Sequence, residues 1–226
     1  DDVVDDSYKR RGYFSINALW KSKITVLVGD YLLSRGLLLA VEKKEYDQLE
    51  IVSNAVREMS EGELLQVKKS RKIYIDEDEY FEIIKKKTAS LISSCTSCGA
   101  RAAGSQEETI QRFYEFGKKI GMAFQIKDDL LDYQNTTKIG KPTGNDIREK
   151  KVTLPLIYAL QNAEEKSKNT IKKAFGKKSK TKADVQQIVD FARQHNGIKA
   201  AEEKMHALKR EALDILEENQ DNDAKK

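Results

Sequence analysis

Cysteine, proline and histidine are all scarce in this chain of 226 residues, which has two of each. The two cysteines, Cys95 and Cys98, lie in one short segment without a second pair, which excludes a disulfide framework and a four-cysteine zinc site. Since the segment SSCTSCGA is rich in small residues, we expect both thiols to be buried in a helix and to pack as small apolar groups. The two histidines, His195 and His206, lie near the end of the chain, and no other residue pattern requires a histidine base.

The chain also has few residues that make turns, with 12 glycines in addition to its two prolines. Only 39% of its residues are hydrophobic and 35% are charged, and the mean hydropathy is -0.66. This composition is too polar for a compact barrel or sandwich, and it is typical of long amphipathic helices with solvated outer faces. We therefore predict an all-α fold, formed by a single domain that comprises residues 1–226.

No signal peptide is visible, and the longest apolar stretch, residues 24–41, is interrupted by Asp30 and Arg35. We therefore predict no membrane span, interpret this stretch as a helix buried in the domain core, and expect a cytoplasmic protein. Further helices are predicted from the spacing of apolar residues and from the positions of Gly and Pro. They comprise residues 47–67, 76–103, 107–134 and 152–163, with two or three more in the tail, divided near Gly176 and Gly197.

A lysine-rich run extends from Glu164 to Lys182, although the net charge of the whole chain is only +4. Proteins that bind single-stranded nucleic acid place aromatic side chains among their basic residues, and here Phe175 is the single aromatic residue of the run. The run is therefore interpreted as the solvated face of a pair of helices, and no nucleic-acid partner is predicted.

The pattern Asp-Asp-x-x-Asp occurs twice, at opposite ends of the first 132 residues. On a helix, residues i, i+1 and i+4 lie near one another, so each copy is expected to present three carboxylates to one small volume. Their mutual repulsion favours a bound cation, and Mg²⁺ is commonly held by carboxylates together with the phosphates of a substrate. Two such clusters suggest two walls that bind Mg²⁺ around one polyphosphate. The candidate metal ligands are Asp1, Asp2, Asp5, Asp128, Asp129 and Asp132.

The segments around both copies resemble the trans-type polyprenyl diphosphate synthases. DDVVDDSYKRRG resembles the first aspartate-rich motif of that family, and FQIKDDLLDY (124–133) resembles the second. GKPTGNDIREKKVTLPL (140–156) resembles the loop that follows the second motif, whereas MSEGELLQ (59–66) and KKT (86–88) match two smaller landmarks. The wording of GDYLLS and GKPTGND is closer to long-chain and geranylgeranyl-type members than to farnesyl-type members. The family usually has Gly where Lys150 stands, so the assignment of a phosphate contact between Lys150 and Lys151 stays open.

The resemblance implies an all-α bundle around a central cavity, a homodimer, and condensation of an allylic diphosphate with isopentenyl diphosphate. The six aspartates would hold Mg²⁺ on the allylic diphosphate. The other implied substrate-binding residues are Arg10, Arg11, Lys87, Thr88, Gln125, Lys141 and Lys151, and of these Lys87, Thr88 and Gln125 would act at the reacting group. The match begins inside the first motif, so the sequence lacks the family's N-terminal helices and the basic isopentenyl diphosphate site they carry.

Two other interpretations remain open. A non-catalytic partner subunit of a heteromeric prenyl synthase would have the same fold, although such subunits tend to lose the aspartate-rich motifs that this chain keeps. A terpene cyclase also uses a first aspartate-rich motif, but its second metal motif normally mixes Asn or Asp, Ser or Thr, and Glu, unlike DDLLD. An assay of the products formed from isopentenyl diphosphate separates all three.

Overall fold

The computed structural model describes residues Val3, 9–10, 12–69, 76–134 and 144–217, with Arg10 described in its backbone alone. The chain forms two compact units, Asp1–Glu50 and Ile51–Lys226. Helices dominate both units, which confirms the predicted all-α class. That residues 1–226 act as a single domain stays a prediction.

The first unit contains a short hairpin and one long helix. Strands β1 (Lys9–Arg10) and β2 (Tyr13–Phe14) pair antiparallel, and α1 (Ile16–Glu42) follows after Ser15, whose hydroxyl accepts a hydrogen bond from the Ala18 amide at 3.1 Å. α2 (Tyr46–Lys69) begins in this unit, and most of it belongs to the second.

The prediction that residues 24–41 form a buried core helix is wrong. They do form a helix, but no residue of α1 is buried, and side chains such as Trp20, Leu27 and Leu32 are more than 60% exposed. The first unit offers this helix no opposing layer against which to bury an apolar stripe. Within the described ranges, α1 is the one helix that is long and apolar enough for a membrane span as judged by length and composition alone, criteria that core helices of soluble proteins also meet.

The second unit is a bundle of helices with one hydrophobic core. After α2 come α3 (Glu77–Ile84), α4 (Ser90–Ala102), α5 (Glu107–Asp132), α6 (Asn145–Arg148), α7 (Leu154–Asn162), α8 (Glu165–Gly176), α9 (Lys182–Gln194) and α10 (Gly197–Glu217). α5 packs against both α4 and α10, and α10 also packs against α7. The largest fully buried side chains come from the end of α5 and from the elements that follow it, among them Ile126, Leu130, Tyr133, Leu154, Phe175 and Ile188.

The predicted helix 76–103 is present but is not uniform. Asp76 caps α3 by accepting a hydrogen bond from the Glu79 amide at 2.8 Å, and a π-helical turn, Lys85–Ala89, separates α3 from α4. The expectation that both thiols are buried in this helix is wrong, because Cys95 is exposed and Cys98 is half-buried. The serines of α4 are buried instead: the hydroxyls of Ser93 and Ser97 donate to backbone carbonyls one turn back, which satisfies them inside the bundle.

Two glycines let neighbouring helices approach the π-helical turn closely. A Cβ on Gly62 of α2 would lie 2.7 Å from the Lys87 amide nitrogen, and a Cβ on Gly121 of α5 would lie 2.6 Å from the Ala89 Cα. Both distances are shorter than any van der Waals contact, so the turn is held between two helices at positions where only glycine fits. This packing fixes the distance between the turn and α5.

We expect Gly121→Ala to lower the free energy of unfolding by about 1–3 kcal/mol, because the new methyl group collides with backbone that cannot yield without moving α5. Gly99→Ala on α4 is the matched control, since nothing lies within 4 Å of a Cβ there. Alanine is favoured over glycine within a helix, so the control should unfold at the same or a slightly higher temperature. Thermal unfolding of the two variants beside the parent checks this, and equal shifts would contradict the packing argument.

Candidate functional site

The π-helical turn carries the KKT segment and sets the direction of its side chains. The Ser90 amide donates to the Lys85 carbonyl five residues earlier, which is the defining hydrogen bond of a π-turn. Lys86 and Lys87 point to α2, where their ammonium groups lie 2.9 Å from a carboxylate oxygen of Glu61 and 2.6 Å from one of Glu63, respectively. The predicted phosphate-binding Lys87 is thus held by an acid on the neighbouring helix, with 31% of its side chain exposed.

Thr88 and Gln125, both predicted at the reacting group, are in direct contact. The Thr88 hydroxyl donates to the Gln125 side-chain carbonyl at 2.8 Å. The Gln125 amide group in turn donates to Asp129 Oδ1 at 2.9 Å, and the Tyr80 hydroxyl donates to Asp129 Oδ2 at 2.7 Å. A continuous hydrogen-bonded chain therefore runs from the π-turn across α5 to α3, and three of its four members come from the sequence-based prediction.

Burial dominates the electrostatics of this chain. Asp129 is 4% exposed, and its burial raises the pKa of the carboxyl to about 7, although the hydrogen bonds from Tyr80 and Gln125 oppose the shift. Burial and the neighbouring Asp129 also raise the pKa of the Tyr80 hydroxyl well above its usual value. Tyr80 therefore keeps its proton and acts as the donor, and Asp129 acts as the acceptor.

The three aspartates of the second motif point in different directions. Asp128 is exposed and Asp129 is buried against α3. Asp132 lies at the start of α6, where its two oxygens accept hydrogen bonds from the Asn145 and Asp146 amides at 2.9 and 3.0 Å. In the part of the chain that the structure describes, no three acidic, histidine or cysteine side chains gather as a metal site. Successive residues differ by about 100° around a helix, so the spacing alone did not bring these carboxylates together.

Sequence reasoning missed Asp146, a fourth acid in this region. Burial and the neighbouring Asp132 raise the pKa of Asp146 to about 6, and burial raises the pKa of Asp132 as well. The residue lies in the segment GKPTGNDIREKK, and its carboxylate was a usable signal, since only the lysines of that segment were selected. These hard oxygen donors, crowded so that ionisation is disfavoured, fit a divalent cation such as Mg²⁺.

The structure separates the two adjacent lysines of the loop. Lys151 lies with the acids, its ammonium group 2.7 Å from Glu149 and 3.9 Å from Asp146. Lys150 points away and donates to the Gly176 carbonyl at the end of α8, at 3.0 Å. Its backbone has a φ of 61°, in the left-handed region that favours glycine, which gives a physical reason for the glycine usual in the resembling family. Lys151 is therefore the lysine placed for a phosphate contact.

Several predicted residues lie outside the described part of the chain, namely Asp1, Asp2, Asp5, Arg11 and Lys141. Arg10 belongs to β1, and only its backbone is described. That the two aspartate clusters face one another, and that all six aspartates are metal ligands, stays a prediction.

Comparison with known proteins relates this site to a family. The chain matches the model of the polyprenyl synthetase family over residues 1–192. It is 38% identical over 163 residues to heptaprenyl diphosphate synthase component 2 of Geobacillus stearothermophilus, an alignment that covers 72% of this chain and 51% of that protein. The chain thus spans about half the length of that curated relative.

Two solved structures share the fold along nearly the whole chain. A decaprenyl diphosphate synthase from Rhodobacter capsulatus superposes with a TM-score of 0.91 at 36% identity, covering 98% of this chain and 69% of that one. A polyprenyl synthase from Caulobacter crescentus CB15, complexed with calcium and isoprenyl diphosphate, has a TM-score of 0.91 at 34% identity, with coverages of 100% and 69%. Together with the motifs and the hydrogen-bonded chain of the π-turn, these matches show that the chain belongs to the polyprenyl synthetase family.

Proposed function

We propose that this protein is a trans-prenyltransferase that condenses an allylic diphosphate with isopentenyl diphosphate to give a linear polyprenyl diphosphate. The observation that carries the proposal is the contact between Thr88 and Gln125, which sets neutral dipoles next to a lysine, Lys87, and to a group of crowded acids. The complex of the Caulobacter relative with calcium and isoprenyl diphosphate supports a metal and a prenyl diphosphate as ligands of this fold. The wording of the motifs favours a long-chain or geranylgeranyl-type product.

Ionisation of the allylic C–O bond leaves a diphosphate and a delocalised cation, and each needs different support. Lys87 and Lys151 supply positive charge for the leaving diphosphate, as would Arg10 and Lys141. Arg11 is assigned to the diphosphate of isopentenyl diphosphate. Bound Mg²⁺, held by the acids of the two aspartate motifs with Asp146, would neutralise charge that builds on the departing oxygens. Thr88 and Gln125 offer oxygen dipoles to the cation without supplying a nucleophile.

The bond between the two substrates forms when the double-bond electrons of isopentenyl diphosphate attack the allylic cation. Loss of a proton from the new cation then restores a double bond, and the released diphosphate can accept that proton. The described residues near Thr88 and Gln125 include no histidine, in keeping with a reaction that needs no histidine base. The chain's part in this step is to hold both substrates at reacting distance and to exclude water.

The direct test is to incubate the protein with isopentenyl diphosphate, geranyl or farnesyl diphosphate, and Mg²⁺, and to identify the products by mass spectrometry. Linear prenyl diphosphates that lengthen by five carbons at each step are expected. Cyclic hydrocarbons would instead identify a terpene cyclase, and the absence of any product would refute the proposed activity for a protein acting alone.

We also propose that the protein acts as a homodimer in the cytoplasm. Most of the large apolar side chains of α1 are exposed, and Asp30 and Arg35 on the same helix favour a protein surface over lipid as their cover. We expect Leu27→Asp together with Leu38→Asp to convert the dimer into a monomer, which sedimentation at micromolar concentration would measure. Sedimentation of the parent protein as a monomer would contradict the proposal.

A heteromeric assembly is the second candidate, because the Geobacillus relative is named as one component of its synthase. In that case the protein alone would show little condensation, and a different chain would restore it. Mixing experiments with a co-purified partner distinguish the two assemblies, since a homodimer needs no addition.

A further inference from the structure

The hydrogen-bonded chain Tyr80–Asp129–Gln125–Thr88 has a direction as well as a path. Asp129 accepts at both oxygens, from Tyr80 on one side and from Gln125 on the other. With the Gln125 amide group turned to the carboxylate, its carbonyl must face the other way, and there it accepts from the Thr88 hydroxyl. The opposite orientation of the amide would put two acceptor oxygens against each other. Every donor in the chain therefore points to Asp129.

This direction decides what Thr88 can offer to a substrate. Its single hydroxyl hydrogen is committed to Gln125, so the side of the oxygen that is left carries lone pairs. A lone pair stabilises a neighbouring positive charge, whereas a hydroxyl hydrogen would repel it. The orientation of Thr88 thus depends on Gln125, and that of Gln125 depends on Asp129.

Tyr80 lies at the far end, remote from any predicted substrate contact. It is 3% exposed and comes from α3, so it joins a third element to the pair formed by α5 and the π-turn. Its bond fixes Asp129 Oδ2, which leaves Oδ1 directed at Gln125. Without that bond, the carboxylate plane could turn and release the amide.

We propose that Tyr80 is a positioning residue, whose hydroxyl acts through Asp129 and Gln125 to hold the Thr88 hydroxyl in the direction that suits an allylic cation. The effect on turnover rests on the proposed condensation. The coupling between Tyr80 and Thr88 within the folded protein does not depend on it.

A double-mutant cycle tests the coupling without substrate or metal. Tyr80→Phe and Thr88→Val each remove one end of the chain with little change of shape, and their separate and combined effects on Tm are compared. If the chain is continuous, the double variant loses less than the sum of the two single losses. Tyr133→Phe is the matched control, because its hydroxyl is equally buried but pairs with Thr153 at 3.0 Å, and its effect should add to that of Thr88→Val.

The same variants give a second readout in the condensation assay. Tyr80→Phe is expected to lower kcat about tenfold, the effect of one lost hydrogen bond, with the KM for the allylic diphosphate unchanged within about twofold. In the Thr88→Val background the same substitution should change kcat little. Additive effects on both Tm and kcat would overturn the proposal. If the parent protein shows no condensation, the proposed function fails, and the Tm cycle still decides whether the chain is coupled.

Discussion

An Asp128→Asn variant is expected to lose at least about a hundredfold in turnover while unfolding at the temperature of the parent protein. Asp128 is the exposed aspartate of the second motif, so neutralising it removes no buried contact of the core. Its carboxylate is the one in this motif best placed to meet a cation from solvent. Loss of one group that stabilises leaving-group charge typically costs about 3–4 kcal/mol of barrier, which corresponds to a factor of 10² to 10³.

The control for this variant is Asp214→Asn on α10, an equally exposed aspartate outside every motif. It should leave turnover and Tm unchanged. Steady-state rates over a range of Mg²⁺ concentrations are the measurement. Near-normal turnover of Asp128→Asn at saturating Mg²⁺ would show that this carboxylate holds no essential metal.

Asp129→Asn should also reduce turnover strongly, by about a hundredfold, but for a different reason. The new amide can keep the buried network bonded only if it donates on one side, and the Gln125 side chain can meet that donor by turning its carbonyl to it. The Gln125 amide group would then donate to Thr88, whose hydroxyl hydrogen would be released towards the substrate. The polarity offered to the allylic cation is thereby reversed, although each group remains hydrogen-bonded.

Because the network can rearrange in this way, we expect the Tm of Asp129→Asn to fall by only a few degrees. Asp129→Leu is the informative comparison, since leucine leaves the Tyr80 hydroxyl and the Gln125 amide as buried donors without an acceptor. Each such group costs about 1–3 kcal/mol, so this variant should unfold well below the asparagine variant. Equal losses of Tm in the two variants would contradict the rearrangement.

The sequence was sufficient to predict the fold class and the approximate bounds of most helices. The 26-residue helix α5 (Glu107–Asp132) ends within two residues of its prediction, because its apolar spacing is regular and a segment rich in Gly and Pro follows it. The environment of α1 could not be predicted in the same way. Apolar composition shows that a helix must be covered, but it does not show which surface covers it, and no residue of α1 is buried.

The site was predictable in its membership but not in its arrangement. Thr88 and Gln125 were paired through the family resemblance, and they are 2.8 Å apart. Tyr80 carried no signal, because a tyrosine in an amphipathic helix is equally consistent with ordinary core packing. Its role depends on a contact across 49 positions of sequence, which only the folded chain reveals.

The π-helical turn Lys85–Ala89 has a consequence for how this site can change in evolution. A π-turn contains one residue more than the α-helical turn it replaces, so deleting any one residue within it would restore a plain helix. The side chains before the deletion would then rotate by about 100° relative to those after it, which would turn Lys87 away from Glu63 or Thr88 away from Gln125. The facing of the KKT segment is thus encoded in the number of residues as much as in their identity. A scan of substitutions would pass over that information, whereas single-residue deletions would expose it.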